Sequence, residues 1–221
     1  MTKTGAAYHH GDLRAALVRA ALELLEESGA SELSLRGVAR RAGVAPSAPY
    51  RHYPDRDALL SAVAAVGYRE LTEKLATAHP SPSTPDDLAA VAVAYVEFAR
   101  QRPALFRVMF GGPCDRDSSE RAAATAAVSA YVGAIAERAF PQGDKEALST
   151  AIWALVHGLA FLHLDGKLDS SDPSGVAIRV RTSVHALIAA SASLAAFADA
   201  EPMGRQSEDG SLRSSPRPRN P

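Results

Sequence analysis

The sequence predicts an all-α protein of about nine helices, and three observations carry that expectation. Apolar residues recur at three- and four-residue steps along most of the chain. Alternating runs of valine, isoleucine and threonine, the mark of a half-buried strand, are scarce. Ser, Thr and Asp stand before the periodic stretches and Gly or Pro after them, where helix caps and stops belong. With 221 residues and 47% hydrophobic content, the chain can fill one large core or two modest ones.

The elements follow in order. A first helix is expected from Asp12 to Ser28, with Leu13, Leu17, Ala21, Leu24 and Leu25 as its apolar stripe, Asp12 as cap and Gly29 as stop. A short second helix starts at Ser34, where Leu33 and Val38 can staple the cap, and ends at Gly43. A third is expected from about Pro46 to Tyr53, because prolines in a first turn remove no bond the helix needs. Asp55 caps a long fourth helix that ends near Ala78. A Pro/Ser hinge, His79 to Pro85, precedes a helix opened by a capping box of Thr84 and Asp87. Then come a short apolar helix over Ala104 to Phe110, a loop to Asp117, and helices at about Ser118 to Phe140, Asp144 to Asp165 and Pro173 to Asp199. The composition of residues 201–221, rich in Pro, Ser, Gly and Arg, predicts a disordered tail. The organisation expected is a first domain over 1–60, linked by the helix 55–78 to a second domain over 79–200.

Totals exclude several functions. The formal net charge of -1 means that nucleic-acid contact needs a local basic patch. The single cysteine, Cys114, allows no intramolecular disulfide and no cysteine zinc cluster, which suits a cytoplasmic location. Residues Met1 to Asp12 carry no signal-like apolar run, and the apolar stretch Ala151 to Leu164 is too short to span a bilayer, so no membrane is expected. No metal-spaced His/Cys set, nucleophile elbow, phosphate loop or dinucleotide glycine pattern is present. The expectation is therefore a non-enzyme with no catalytic residue, metal or cofactor.

The sharpest pattern is two short helices around a glycine turn, Ser34 to Ala42 and Pro46 to Tyr53, set between longer amphipathic ones: helix-turn-helix spacing. Residues 1–56 hold 8 Lys/Arg against 6 Asp/Glu, with the acids mostly on the first helix and the bases on the motif. The run Ser34-Leu35-Arg36-Gly37-Val38-Ala39-Arg40-Arg41-Ala42-Gly43-Val44, followed by Pro49-Tyr50-Arg51-His52-Tyr53-Pro54-Asp55-Arg56-Asp57-Ala58-Leu59-Leu60, resembles the signature of the TetR/AcrR transcriptional regulators. Pro49, Tyr53 and Arg56 are mild departures from it. The resemblance implies that Ser34 contacts phosphate, that Arg36 reaches a guanine edge, and that Pro46, Ser47 and Ala48 face base edges. It also implies phosphate grips by Tyr50, His52 and Arg56, and a base or backbone contact by Arg51. Arg40 and Arg41 remain open between DNA contact and plain solvated charge.

Further on, Trp153-Ala154-Leu155-Val156-His157-Gly158 resembles the Trp-His-Gly motif of one C-terminal domain class in that family. This implies a homodimer joined through the last two long helices, matched to a palindromic operator. The residues agree: the helix Asp144 to Asp165 is apolar nearly all round, and the last helix is rich in alanine and serine. Tyr95, Phe98, Phe106, Met109, Phe110, Tyr131, Trp153, His157 and Phe161 are candidates to line a pocket for a small apolar or amphipathic effector, or else ordinary core. The expected function is a repressor released from its operator when ligand shifts the population toward wrongly spaced reading helices. A ligand-independent regulator and an activator are the alternatives.

Overall fold

The computed structural model describes residues 10–111, 117–140 and 144–200. Cys114 and the expected tail, 201–221, lie outside the described residues. Among the described residues there are eight α-helices, one short 3-10 turn and no strand: α1 (His10–Ser28), α2 (Leu35–Arg41), the 3-10 turn (Pro49–Arg51), α3 (Arg56–Ala78), α4 (Pro85–Gln101), α5 (Pro103–Gly111), α6 (Ser119–Ala139), α7 (Lys145–Leu164) and α8 (Pro173–Ala200). The chain divides into two compact units, Met1–Ala186 and Leu187–Pro221. In the second, the Ser191 and Ser193 hydroxyls donate back to the carbonyls of Ile188 and Ala189 within α8.

Local chemistry sets the helix ends. The Ser34 hydroxyl accepts the Gly37 N–H at 3.1 Å, Asp55 accepts that of Ala58 at 2.8 Å, and Thr84 and Asp87 form the reciprocal capping box. Behind α2, Gly43 takes a φ of +68°, while Val44 and Gly43 donate to the carbonyls of Ala39 and Arg40 at 3.0 and 3.2 Å. That crossed pair closes the helix, and it needs a residue that tolerates the left-handed region. Helix α1 begins two residues before the expected cap, so Asp12 falls in the first turn. An acidic residue is favourable at either place, which is why its identity does not fix the boundary.

The third element departs from expectation. Instead of a helix over Pro46 to Tyr53, the segment makes two tight turns, with Ala48 N–H on the Ala45 carbonyl at 2.9 Å and His52 N–H on the Pro49 carbonyl at 2.9 Å. Were Pro46 the first helical residue, Pro49 would be the fourth, and the fourth N–H makes the first α-type bond, back to Ala45. Proline has no such N–H, and its ring would strike that carbonyl.

Helix α3 is the axis of the first unit, packing against α1, α4, α5 and α6. It buries Leu59, Leu60, Val63, Leu71 and Leu75. A Cβ at Gly67 would sit 2.5 Å from Met109 Sδ and 3.1 Å from Leu105, so this glycine lets α5 lie directly on α3. Nearby, the buried Tyr68 hydroxyl donates to the Met109 carbonyl at 2.8 Å. Helix α7, with 20 residues and a mean hydropathy of 1.6, is long and apolar enough to cross a membrane by length and composition. The apolar run Ala151 to Leu164 is the C-terminal part of this helix, which matches the one expected at about Asp144 to Asp165. Only 22% of its apolar window is covered by the rest of the chain.

Candidate DNA-reading surface and ligand cavity

Ser34 at the cap of α2 and Arg36 in its first turn are exposed, as are Pro46, Ser47, Tyr50 and Arg51 between α2 and α3, where Ala48 and His52 are half-buried. Tyr50 is the notable one: an aromatic ring 51% exposed. Pro49, next to it, is buried and anchors the turn. Among the described residues Arg36, Arg40 and Arg51 have no ion-pair partner, so their charges face solvent.

Two arginines of the motif are committed elsewhere. Arg41 pairs with Glu23 at 3.2 Å and with Glu27, clamping α2 to α1. The Arg41 bonds hold the Glu27 carboxyl below its usual range. Arg56 donates through Nε to the Leu33 carbonyl at 3.0 Å and through Nη2 to the Ala30 carbonyl. It thereby fastens the turn between α1 and α2 to the start of α3. The phosphate grip implied for Arg56 is not what these contacts supply, because two carbonyls already hold its fork.

Tyr53, at the end of the reading segment, is 2% exposed. Its hydroxyl accepts from Arg14 Nε at 3.3 Å, and burial raises its pKa. Arg14 also meets Glu120 at 2.8 Å, and Glu120 meets Arg69 at 3.1 Å. Thus the first turn of α6 touches the reading segment through one arginine. Arg102 makes a second junction, to Glu26 on α1 at 2.8 Å and Glu70 on α3 at 2.7 Å.

Helices α3, α4, α6 and α7, with Phe110 of α5, line a half-open cavity of about 760 Å³. Of the nine candidate pocket residues, Tyr95, Phe110, Tyr131 and Trp153 line it. Phe98, Phe106 and Met109 lie in the closed core at 3%, 0% and 1% exposure. His157 and Phe161 stand behind the wall in an aromatic cluster, the imidazole 4.7 Å from Phe110 and 4.9 Å from Phe161. Tyr95 OH and His157 Nδ1 are hydrogen-bonded at 2.9 Å. Burial pushes the imidazole pKa down, which keeps this ring neutral at neutral pH. Much of the remaining wall was not anticipated: Tyr68, Leu75 and Leu88, and one face of α6 through Thr125, Val128, Val132 and Ala136. The three- and four-residue spacing along α6 is the signal that points to it. Among the described residues no group of three or more His, Cys, Asp or Glu could hold a metal ion.

Comparison with known proteins agrees with this geometry. A family model described as bacterial regulatory proteins, tetR family, matches residues 17–63, and one described as tetracyclin repressor-like, C-terminal domain, matches 88–190. A solved structure of a protein of unknown function from Rhodococcus sp. RHA1 is 34% identical, with a TM-score of 0.69, over 81% of this chain and 97% of that one. The chain belongs to the TetR family of bacterial regulatory proteins. Among curated relatives, the HTH-type transcriptional regulator Rv1816 of Mycobacterium tuberculosis is 33% identical over 131 residues. That alignment covers 56% of each protein, so the chain spans about half the length of the curated relatives it matches. A tetR-family regulatory protein from Rhodococcus RHA1, 23% identical with a TM-score of 0.59 over 77% of this chain and 94% of that one, shares the fold. The N-terminal match runs from the buried stripe of α1, through both reading turns, into α3. The C-terminal match takes in every cavity wall from Leu88 onward.

Proposed function

We propose that this TetR-family chain is a sequence-specific DNA-binding repressor that works as a two-fold homodimer and leaves its operator when a small ligand enters the cavity. The observation that carries this reading is the double engagement of α6. It walls the cavity over much of its length, and its first turn holds, through Glu120 and Arg14, the tyrosine that ends the reading segment. A ligand that spreads α6 from α3 or α7 pulls on that contact, and only a ligand with different affinity for the two arrangements shifts their populations.

At the reading surface, Arg36 supplies a fork suited to a guanine edge. Ser34, Tyr50 and His52 supply phosphate contacts, and Pro46, Ser47 and Ala48 face base edges. Pairing of two copies is supported by the bare side of α7, where Ala147, Ala154, Gly158 and Leu162 are exposed, and by Ile178 of α8 at 64% exposure. A Cβ at Gly158 would meet nothing within 4 Å, so a second helix can approach there. A partner covering that face also accounts for an apolar α7 in a protein that works on DNA in the cytoplasm. The size of the cavity favours the ligand-responsive reading over the ligand-independent one.

The test is an anisotropy titration against DNA upstream of the chain's own gene, with random duplex as competitor. Binding that resists competitor, weakens steeply with salt and is lost in Arg36→Ala and Tyr50→Ala dimers of unchanged helicity is the expected result. Binding equally displaced by random duplex would count against sequence-specific recognition.

A further inference from the structure

The cavity has a one-sided charge inventory. Among the described residues no Lys, Arg or His lines it, and one carboxylate, Glu146, stands at its α7 end. His157, which contacts the lining Phe110, is a neutral ring behind the aromatic wall. Three tyrosine hydroxyls reach the walls, and all are spent. Tyr68 donates to the Met109 carbonyl at 2.8 Å, and Tyr95 bonds His157 at 2.9 Å. Tyr131 lies 2.7 Å from the His79 carbonyl and 3.0 Å from that of Leu75. The start of α7 would otherwise welcome an anion, but Asp144 caps it at 3.0 Å and Glu146 occupies its first turn.

An entering carboxylate or phosphate would therefore shed water and meet no cationic side chain, only the neutral hydroxyls of Ser129, Ser149 and Thr150. A cation meets the opposite situation. Glu146 is an exposed counter-charge without an ion-pair partner among the described residues. Trp153, 50% exposed and two turns further along α7, and Phe110 are aromatic rings of the same lining. The rest of the lining is mainly aliphatic, suited to the hydrocarbon body of such a molecule.

We propose that the cavity selects a hydrophobic cation, a protonated lipophilic amine or a quaternary ammonium, with its apolar body between α3, α4 and α6 and its charge between Glu146 and Trp153. This rests on the ligand-responsive reading above.

Trp153 is the only tryptophan in the chain, so its emission reports the cavity directly. The full chain is titrated with decyltrimethylammonium, decanol and decanoate, each below its aggregation concentration, at neutral pH. The cation is expected to saturate the Trp153 signal with a Kd about tenfold or more below that of decanoate, an exposed ion pair and an aromatic face each giving a few-fold. In Glu146→Gln, cation affinity should fall about fivefold, while decanol binding is unchanged and helicity is kept. Decanoate binding as tightly as the cation, or a cation preference that survives Glu146→Gln, overturns the proposed selectivity while leaving a ligand cavity in place. Should none of the three probes move the Trp153 emission, the ligand-responsive reading fails together with it.

Discussion

The reading surface and the cavity are built on opposite principles. Around the reading turns, geometry is held by directional contacts: the Ser34 and Asp55 caps, the crossed bonds at Gly43, Arg41 on two glutamates and Arg56 on two carbonyls. Around the cavity, most of the wall is aliphatic and aromatic, and its tyrosines tie helix to helix rather than pointing polar groups inward. A surface that matches the spacing of DNA needs a single geometry, which directional bonds impose. A chamber that responds to a ligand needs walls that can re-seat, which apolar contacts allow. The first region should therefore break on loss of a bonding partner, and the second on a change of charge or volume.

The largest expected effect extends the contrast to the apolar outer side of α7, which is no part of the cavity lining. Gly158→Glu places a carboxylate on the bare apolar side of α7 without touching the reading turns. We expect the dimer to fall apart and operator affinity to drop by about a hundredfold or more, since one half-site contact is lost and specific base contacts are worth roughly 1–3 kcal/mol each. Sedimentation and anisotropy read both. A dimer that persists in Gly158→Glu would place the pairing surface elsewhere.

Next in size is the loss of a bonding partner beside the reading turns. Arg56→Ala removes two charge-assisted bonds to main-chain carbonyls, one of them on the buried Leu33. With the side chain 36% exposed, the loss is expected at roughly 1–3 kcal/mol in denaturant unfolding. Arg56→Lys should recover little of it, because an ammonium cannot span two acceptors as the fork does. Full recovery by lysine would mean that charge alone matters there.

The same contrast explains what the sequence made legible. Caps are local, so Ser34, Asp55 and Thr84 could be read from residue type and spacing, as could the helical class and the two-turn motif. The reading helix was misjudged by one position: Pro49 falls on the first N–H that an α-helix must use. Large aromatics were expected around the pocket, and Tyr131 on α6 is one that lines it, but Phe98, Phe106 and Met109 are buried in the core, while the rest of the α6 wall is Thr, Ser, Gly, Val, Ile and Ala, which carry little signal singly. Glu120 lies 106 residues from Arg14, and nothing local announces such a pair.

A smaller effect follows from the histidines. Burial lowers the pKa of His157, and burial with Arg179 and Arg100 nearby lowers that of His163, both from 6.5. Below 6.5 the unfolded chain gains protons that the folded chain does not. Stability is therefore complete above 6.5 and declines as pH falls toward the depressed folded values. Thermal unfolding followed from neutral to mildly acidic pH should show that fall, and His157→Gln should make it shallower. A melting temperature that holds steady over this window would mean the imidazoles are solvated.

The smallest stability change should carry the most information about how the two regions speak to each other. Glu120 bridges Arg14 and Arg69, whose side chains are 53% and 52% exposed, so Glu120→Gln should cost less than about 1 kcal/mol. Its place in the chain of contacts is another matter. It connects the helix that walls the cavity to the arginine that holds Tyr53, and Tyr53 closes the reading segment. If that contact transmits the ligand's effect, Glu120→Gln leaves operator affinity and ligand affinity nearly as they were but weakens the linkage between them, so that saturating ligand lowers operator affinity by a smaller factor. The Arg102 junction to Glu26 and Glu70 serves as the comparison, since Arg102 stands at the turn between α4 and α5, outside the cavity lining. Arg102→Gln should lower stability at least as much as Glu120→Gln, yet leave the ligand's effect on DNA intact. Equal loss of linkage in both variants would spread the coupling over the whole junction and remove Glu120 from its special position.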